Sequence, residues 1–189
     1  MSIYIETPRL IIRTPVIADI EMIQTAKMTA WDDLRLWMSW AVPGTETVES
    51  LRDYFIAGAE EKNHLIAVTK DDGAFVLCTG ATPMEQNIFE VGYWAARNMR
   101  GYGYAAEAAN AVIRYAFDQL DAAQIYICHY EGNKPSQNVI EKLGFTKTGV
   151  TAKAFTRDVD GAVLDRHEYI MTDVTALPDL DVIWRQRCP

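Results

Sequence analysis

The sequence is short of several things, and each shortage closes off a class of function. It holds three cysteines in 189 residues, Cys78, Cys128 and Cys188. The number is odd, the spacings are wide and no CxxC pair occurs, which argues against a disulfide framework or a zinc knuckle. Reduced, mostly buried thiols are expected instead. His64, His129 and His167 are scattered, with no H-E-x-x-H and no Ser-His-Asp order. No metal site is therefore expected, and His129 reads as a strand residue rather than a ligand. No run of ~18 apolar residues is present, so no membrane span is predicted. The opening MSIYIETPRL lacks a basic region followed by an apolar stretch, so no signal peptide is expected and the cytoplasm is the default compartment. Basic residues are outnumbered, 18 Lys and Arg against 26 Asp and Glu, for a net charge of -8. That balance argues against nucleic-acid or anionic-membrane partners, which need clustered cations. It permits a cationic substrate, or serves solubility alone.

What is present suits one domain over residues 1–189, with 49% hydrophobic and 23% charged residues. Residues 9–13 read as a first strand. Val16, Ile20, Ile23 and Met28 then fall at near-helical spacing over 16–29. Residues 31–45 are tryptophan-rich, with no assigned element. Thr45 or Thr47 opens a second helix running to Ala59. Strands follow at 64–70 and 74–81, joined through Asp71-Asp72-Gly73 as a hairpin, and at 88–95. A helix is predicted at 104–120, a strand at 124–130, a helix at 134–143, and strands at 145–151 and 163–172. The expected class is α/β, or α+β: a mixed, mostly antiparallel sheet with helices on both faces.

Between the strand at 88–95 and the next helix stands Arg100-Gly101-Tyr102-Gly103-Tyr104-Ala105. Gly92 inside that strand suggests a bulge or a close backbone approach. The helix presents Ala105, Ala109, Val112, Ala116 and Leu120 on one face, and Glu107, Arg114 and Asp118 on the opposite one. Two glycines let the chain turn sharply, and the helix start adds free N–H donors, which together suit a pyrophosphate. Arg100 can add a charge-assisted contact. Three readings stay open: a plain connection, a dinucleotide fingerprint, or a coenzyme A cradle. The fingerprint fits poorly, because about five residues separate the strand from Gly101. No lysine follows Gly103 as a nucleoside-triphosphate loop requires.

Residues 7–173 resemble the GNAT acetyltransferases, in particular their ribosomal-protein N-terminal acetyltransferase branch. The likeness is carried by Thr7-Pro8-Arg9-Leu10-Ile11-Ile12-Arg13, by Gly92-Tyr93-Trp94, and by Asn98-Met99-Arg100-Gly101-Tyr102-Gly103. The last stands where the family has Q/R-x-x-G-x-G/A, with Asn98 in first place. The resemblance implies acetyl-CoA as cofactor, held by Tyr93, Trp94, Ala95, Arg100, Gly101, Tyr102, Gly103, Tyr104 and Ala105. It also suggests a homodimer.

A second stretch runs from Asn133 through Ser136 to Gly144-Phe145. Asn133 is a fitting N-cap, Pro135 belongs in a first turn and Gly144 ends the helix. A capped structural helix explains all of these except Ser136. Asn133-x-x-Ser136 followed by Glu141-Lys142-Leu143-Gly144-Phe145 is similar to the branch's acetyl-CoA motif. The resemblance implies cofactor contacts for Asn133, Asn138 and Lys142, and a general-acid role for Ser136. Many relatives carry tyrosine where this chain has Ile140.

Glu90, on the strand leading to the cofactor and on the same face as Trp94, is the candidate base, with a solvated or ion-paired carboxylate as the alternative. A backbone N–H near Trp94–Ala95 is the candidate oxyanion donor. Asp33, Trp37 and Trp40 form either core or a wall for a cationic amine. The expected function is acetylation of a primary amine by direct attack, with a protein N-terminus foremost. Small amines (amino acid, polyamine or aminoglycoside) come second, and a non-catalytic acyl-CoA-binding module third.

Overall fold

A computed structural model describes residues 2–58 and 63–187 of the chain. The strands are β1 (Ser2–Glu6), β2 (Leu10–Arg13), β3 (Asn63–Thr69), β4 (Phe75–Pro83), β5 (Ile88–Ala95), β6 (Gln124–Tyr130), β7 (Thr146–Thr156), β8 (Val163–Met171) and β9 (Ile183–Arg187). The helices are α1 (Ile20–Thr29), α2 (Trp31–Trp37), α3 (Val48–Gly58), α4 (Tyr104–Gln119) and α5 (Lys134–Lys142). One nine-stranded sheet runs β7-β8-β6-β5-β4-β3-β2-β1-β9. Every neighbouring pair is antiparallel except β5 and β6.

The period-2 pattern of the strands sorts two cores onto the two faces. Leu65, Ala67, Phe89, Val91, Ile125 and Ile127 turn to α4 and α5. Ile66, Val68 and Phe75 turn to α1 and α3, where Ile20, Ile23 and Leu51 meet them. Ala109, Val112 and Ala116 of α4 are fully buried, so their small side chains bring the helix close to the sheet. Asp118 is exposed. The outward face expected of Glu107 and Arg114 is not what forms. Arg114 donates from Nε to Asn110 Oδ1 (2.8 Å) and from its guanidinium to Pro178 O (3.2 Å), while Glu107 is covered by the β1–β2 turn. The segment after β8 packs over this side of the helix, which a single-helix projection does not reveal.

The elements depart from sequence expectation mainly at the ends of the chain. A strand, β1, precedes the expected first one, and the unassigned tail supplies β9, which pairs with β1. Residues 17–19 form a short 3-10 turn before α1 instead of its first turn. The tryptophan-rich stretch holds α2. Thr47, not Thr45, opens α3, since its Oγ1 accepts Ser50 N (3.1 Å). Ala59, the expected end of that helix, and Cys188 lie outside the described residues. Gly92 makes no bulge: it pairs in register with Gly80. Cys78 and Cys128 are free. Both ring nitrogens of buried His129 are engaged, Nδ1 by Tyr130 O (3.0 Å) and Nε2 by the Tyr169 hydroxyl (3.1 Å).

Ile127 is nearly fully buried between β6 and the α4–α5 layer. Ile127→Ala is expected to cost about 2–5 kcal/mol of unfolding free energy, read from the urea midpoint, and a shift equivalent to less than about 1 kcal/mol would contradict this placement of the core.

Candidate active site

The parallel pair β5–β6 has three rungs, Ile88↔Gln124, Phe89↔Ile125 and Glu90↔Tyr126. Beyond Glu90 the strands part. β5 stays on β4 as far as Ala95, and β6 stays on β8 as far as Tyr130. The inner edges of both strands are then left without ladder partners. Ala96 N donates to Val76 O of β4 (2.9 Å). Alternation along the strand therefore turns the N–H groups of Ala95 and Tyr93 toward the gap. Gly92 is exposed, and a side chain there would meet nothing within 4 Å.

The cofactor-type turn closes one end of this gap. Gly101 and Gly103 both take positive φ, 85° and 82°, a region costly to other residues. Gly103 is the N-cap of α4 and no side chain caps the helix. The bond Glu107 N to Gly103 O (3.1 Å) marks the first helical turn, so the N–H groups ahead of it lack helical partners. Free donors plus the positive end of a 16-residue helix suit a diphosphate. Tyr102 is exposed, while Tyr104 and Ala105 are partly buried against the core.

A clamp that sequence reasoning missed holds the turn from outside. Glu107 accepts from Thr7 Oγ1 (2.7 Å), Arg9 N (3.0 Å) and Arg9 Nε (2.6 Å). The same guanidinium donates to Tyr102 O (2.9 Å) and lies 4.5 Å over the Tyr104 ring. The Glu107 carboxylate is almost fully buried, so its bonds to a cation and two further donors act in a low dielectric. Arg9 and Glu107 stand 98 residues apart in sequence, so local pattern gave no sign of the pair.

Arg100 is turned toward α2. It donates to Asp33 Oδ2 (2.6 Å) and from Nε to Ala95 O (3.3 Å), and Arg97 also reaches Asp33 (3.2 Å). Asp33 thus stands between two arginines and ties the Trp-rich segment to the turn. Trp37 lies against Gly132 and under Arg157, whose guanidinium carbon is 5.7 Å from the ring centroid. Arg35 bridges to Asp158 (2.8 Å), so α2 also meets the β7–β8 connection.

On the α4–α5 face, Asn133 Oδ1 accepts Ser136 N (3.3 Å), capping α5 as the sequence predicts. The Ser136 hydroxyl lies 3.3 Å from that of Tyr93, within hydrogen-bond reach. Burial pushes the Tyr93 phenol up to about 12, against a smaller opposing effect of the Ser136 contact. Ile140 is buried one turn on, while Asn138 and Lys142 share the exposed side of α5, away from Ser136.

Glu90 is on the opposite face, at the last rung before the strands part. It is half-buried, and burial raises its pKa above the ordinary carboxylate value while Arg166 pulls the other way. Burial likewise pushes the Cys128 thiol up to about 11, with Glu90 adding to the shift. Trp94 faces the same side, 5.6 Å from Phe75 and 6.5 Å from Trp40 by ring centroids. Beside it lies a mostly apolar cavity of about 400 Å³, lined by Trp40, Tyr54, Phe55, His64, Cys78 and Gly92 among others. Of these, sequence reasoning had named only Trp40 as part of an acceptor wall.

The family model described as "Acetyltransferase (GNAT) domain" matches residues 9–146. The chain belongs to that family of acetyltransferases. Among curated relatives, a Bacillus subtilis (strain 168) protein provisionally named ribosomal N-acetyltransferase YdaF is 38% identical over 60 residues, 32% of this chain and 33% of that one. The matches span 33% to 59% of the curated relatives' own lengths. Solved structures agree over far more of the chain. The ribosomal-protein-S5-alanine acetyltransferase of Vibrio fischeri superposes with a TM-score of 0.81 at 19% identity, over 93% of this chain and 99% of that one. The microcin C7 self-immunity acetyltransferase MccE, solved with acetyl-CoA and AMP, gives 0.78 at 18%, over 88% and 93%. At such identities these likenesses establish the fold. No helix among the described residues is long and apolar enough to cross a membrane.

If the Thr7–Arg9–Glu107 clamp shapes the turn, Glu107→Gln should speed amide exchange over residues 101–105 by roughly tenfold or more. Exchange mass spectrometry reads this directly, and protection equal to the parent protein would remove the clamp from the account.

Proposed function

We propose that the protein transfers an acetyl group from acetyl-CoA to a primary amine by direct attack. The α-amine of a protein N-terminus is the leading acceptor. The observation that carries the reading is the gap opened where β6 leaves β5, beside a capless helix start. The residues fit acetyl-CoA. Free N–H groups of Gly101 to Ala105 suit its diphosphate, and unpaired strand edges suit its amide-bearing arm. The names of YdaF and of the S5-alanine acetyltransferase favour the ribosomal-protein acceptor.

Bound acetyl-CoA supplies an acetyl group already activated as a thioester. The chain positions, polarises and moves protons. The N–H of Ala95, aimed into the gap, stabilises negative charge on the thioester oxygen. Glu90 takes the proton from the incoming ammonium, directly or through a water. Its raised pKa brings it nearer to the amine it must deprotonate. Ser136 donates toward the departing sulfur, and the neutral Tyr93 hydroxyl orients it. Asn133 holds the start of α5 in place for Ser136. Tyr93, Trp94 and Ala95 border the arm, Tyr102 to Ala105 the diphosphate, and Arg100, Asn138 and Lys142 offer peripheral contacts. Asp33 orders the wall through its arginines, with Trp40 beside the acceptor and Trp37 packed against Gly132 and Arg157. A small-molecule amine is the second reading, favoured by the partly open, mostly apolar cavity next to Gly92.

Glu90→Gln should lower kcat/KM by ~10²–10⁴-fold and remove the acid limb of its pH profile. In the parent, that limb should lie above the ordinary carboxylate range, because activity needs the ionised form and burial raises the pKa. Near-normal turnover of Glu90→Gln at every pH would end the base assignment.

The same variant should be more stable at neutral pH. A carboxyl whose folded pKa exceeds its unfolded one loses stability as pH rises, because the unfolded chain releases the proton first. The loss begins near the unfolded pKa and is complete above the folded one. Urea midpoints at acid and neutral pH test this: the advantage of Glu90→Gln should appear at neutral pH and vanish in acid. For Ser136→Ala, a ~10²-fold fall in kcat with KM nearly unchanged is expected, and an equal fall in binding alone would leave Ser136 as a cap residue.

A further inference from the structure

The two faces of β5 divide the site. Tyr93 faces α4 and α5 and meets Ser136 there. Glu90, Gly92 and Trp94 face the other way, toward α1 and α3. An amine that gives its proton to Glu90 therefore enters from the α1–α3 side, and the cavity of about 400 Å³ adjoins that side.

Its floor is bare backbone, where Gly80 of β4 pairs with Gly92 of β5. Its walls are flat rings. Trp40 and Trp94 incline at 56° to one another, and Tyr54 stacks on His64 at 4.3 Å. Phe55 and Leu51 add apolar surface. The buried Lys27 ammonium is also part of the lining. It lies 5.5 and 5.8 Å from the Trp31 and Trp40 centroids and is held by Thr45 O. An alanine or serine side chain would leave most of this volume unfilled. A cavity of ~150 Å³ already holds a benzene ring, so this one has room for an indole or a phenol. A second positive charge would have to lie in an apolar site already holding an ammonium, which disfavours polyamines and aminoglycosides.

We propose that this cavity selects acceptors in which the reacting primary amine carries a large, flat, mostly apolar group. Such a group occurs in free arylalkylamines and at peptide N-termini beginning with Phe, Tyr or Trp. The inference rests on the acetyl transfer proposed above and adds the class of its acceptor.

The test is a panel at equal concentration: 2-phenylethylamine, tryptamine, spermidine, kanamycin, and tetrapeptides beginning with Phe, Trp, Ala or Ser. Product mass and thiol release are both read. Aromatic acceptors should exceed Ala and Ser peptides by ~10²-fold or more in kcat/KM, since even one methylene in such a pocket is worth 10–200-fold. The two aromatic arms then say whether the source is a free amine or a chain end. Ser50→Phe, which fills the cavity from α3, should cut turnover of aromatic acceptors at least tenfold and leave the Ala peptide unchanged. Gly92→Val, filling from the floor, should shift the ratio in the same direction. Equal or better turnover of Ala and Ser peptides by the parent protein overturns this inference and leaves acetyl transfer standing. A panel with no acetylated product, from a protein that binds acetyl-CoA in calorimetry, overturns both.

Discussion

Everything in the site depends on two parallel strands that share three rungs and then separate. A sheet normally satisfies its backbone donors and acceptors strand by strand. Here β5 is held by β4 on one side and released by β6 on the other. The unpaired edge needs another partner, which an extended, amide-bearing molecule can supply. The separation also opens a passage between the two faces of the sheet at the point where helices pack on both of them.

That passage explains the division of labour. A group accepting a proton and a group donating one are best kept apart, so that one does not simply neutralise the other. Glu90 and Ser136, the proposed base and acid, lie on opposite faces of the strand layer. The environments differ as well. Burial holds the Glu90 carboxyl up, nearer to the range where it exchanges protons with amines, while burial of Tyr93 keeps that phenol protonated within hydrogen-bond reach of Ser136. On the proposed reading, one strand supplies base, oxyanion donor and acid support through simple alternation.

Much of this was legible in the sequence because it is local. The Gly101–Gly103 turn, the Asn133 cap, the Ala face of α4 and the placement of Glu90 against Tyr93 all follow from short-range spacing. What escaped is long-range. Glu107 read as a surface residue because its partners, Thr7 and Arg9, come from the other end of the chain. β9 escaped because Ile183-Trp184-Arg185-Gln186-Arg187 is short and gains its order from β1. The cavity escaped because Lys27, Tyr54, His64 and Cys78 come from four different elements or their flanks, and no pattern in the chain joins them. Family resemblance pointed to the turn and to Ser136, while the cavity is built from side chains outside those motifs.

The carboxylate of Asp33 has two guanidiniums to choose from, Arg100 and Arg97. Arg100 stands at the turn where a diphosphate is expected, so an arriving anion competes with Asp33 for it. If Arg100 is drawn away, Arg97 is still in place to neutralise the carboxylate. On the proposed reading, the second cation would keep the segment around α2 anchored whether the neighbouring turn is filled or empty. Redundancy of this kind would uncouple the two halves of the proposed site, allowing the donor half to load and unload without dismantling the acceptor half.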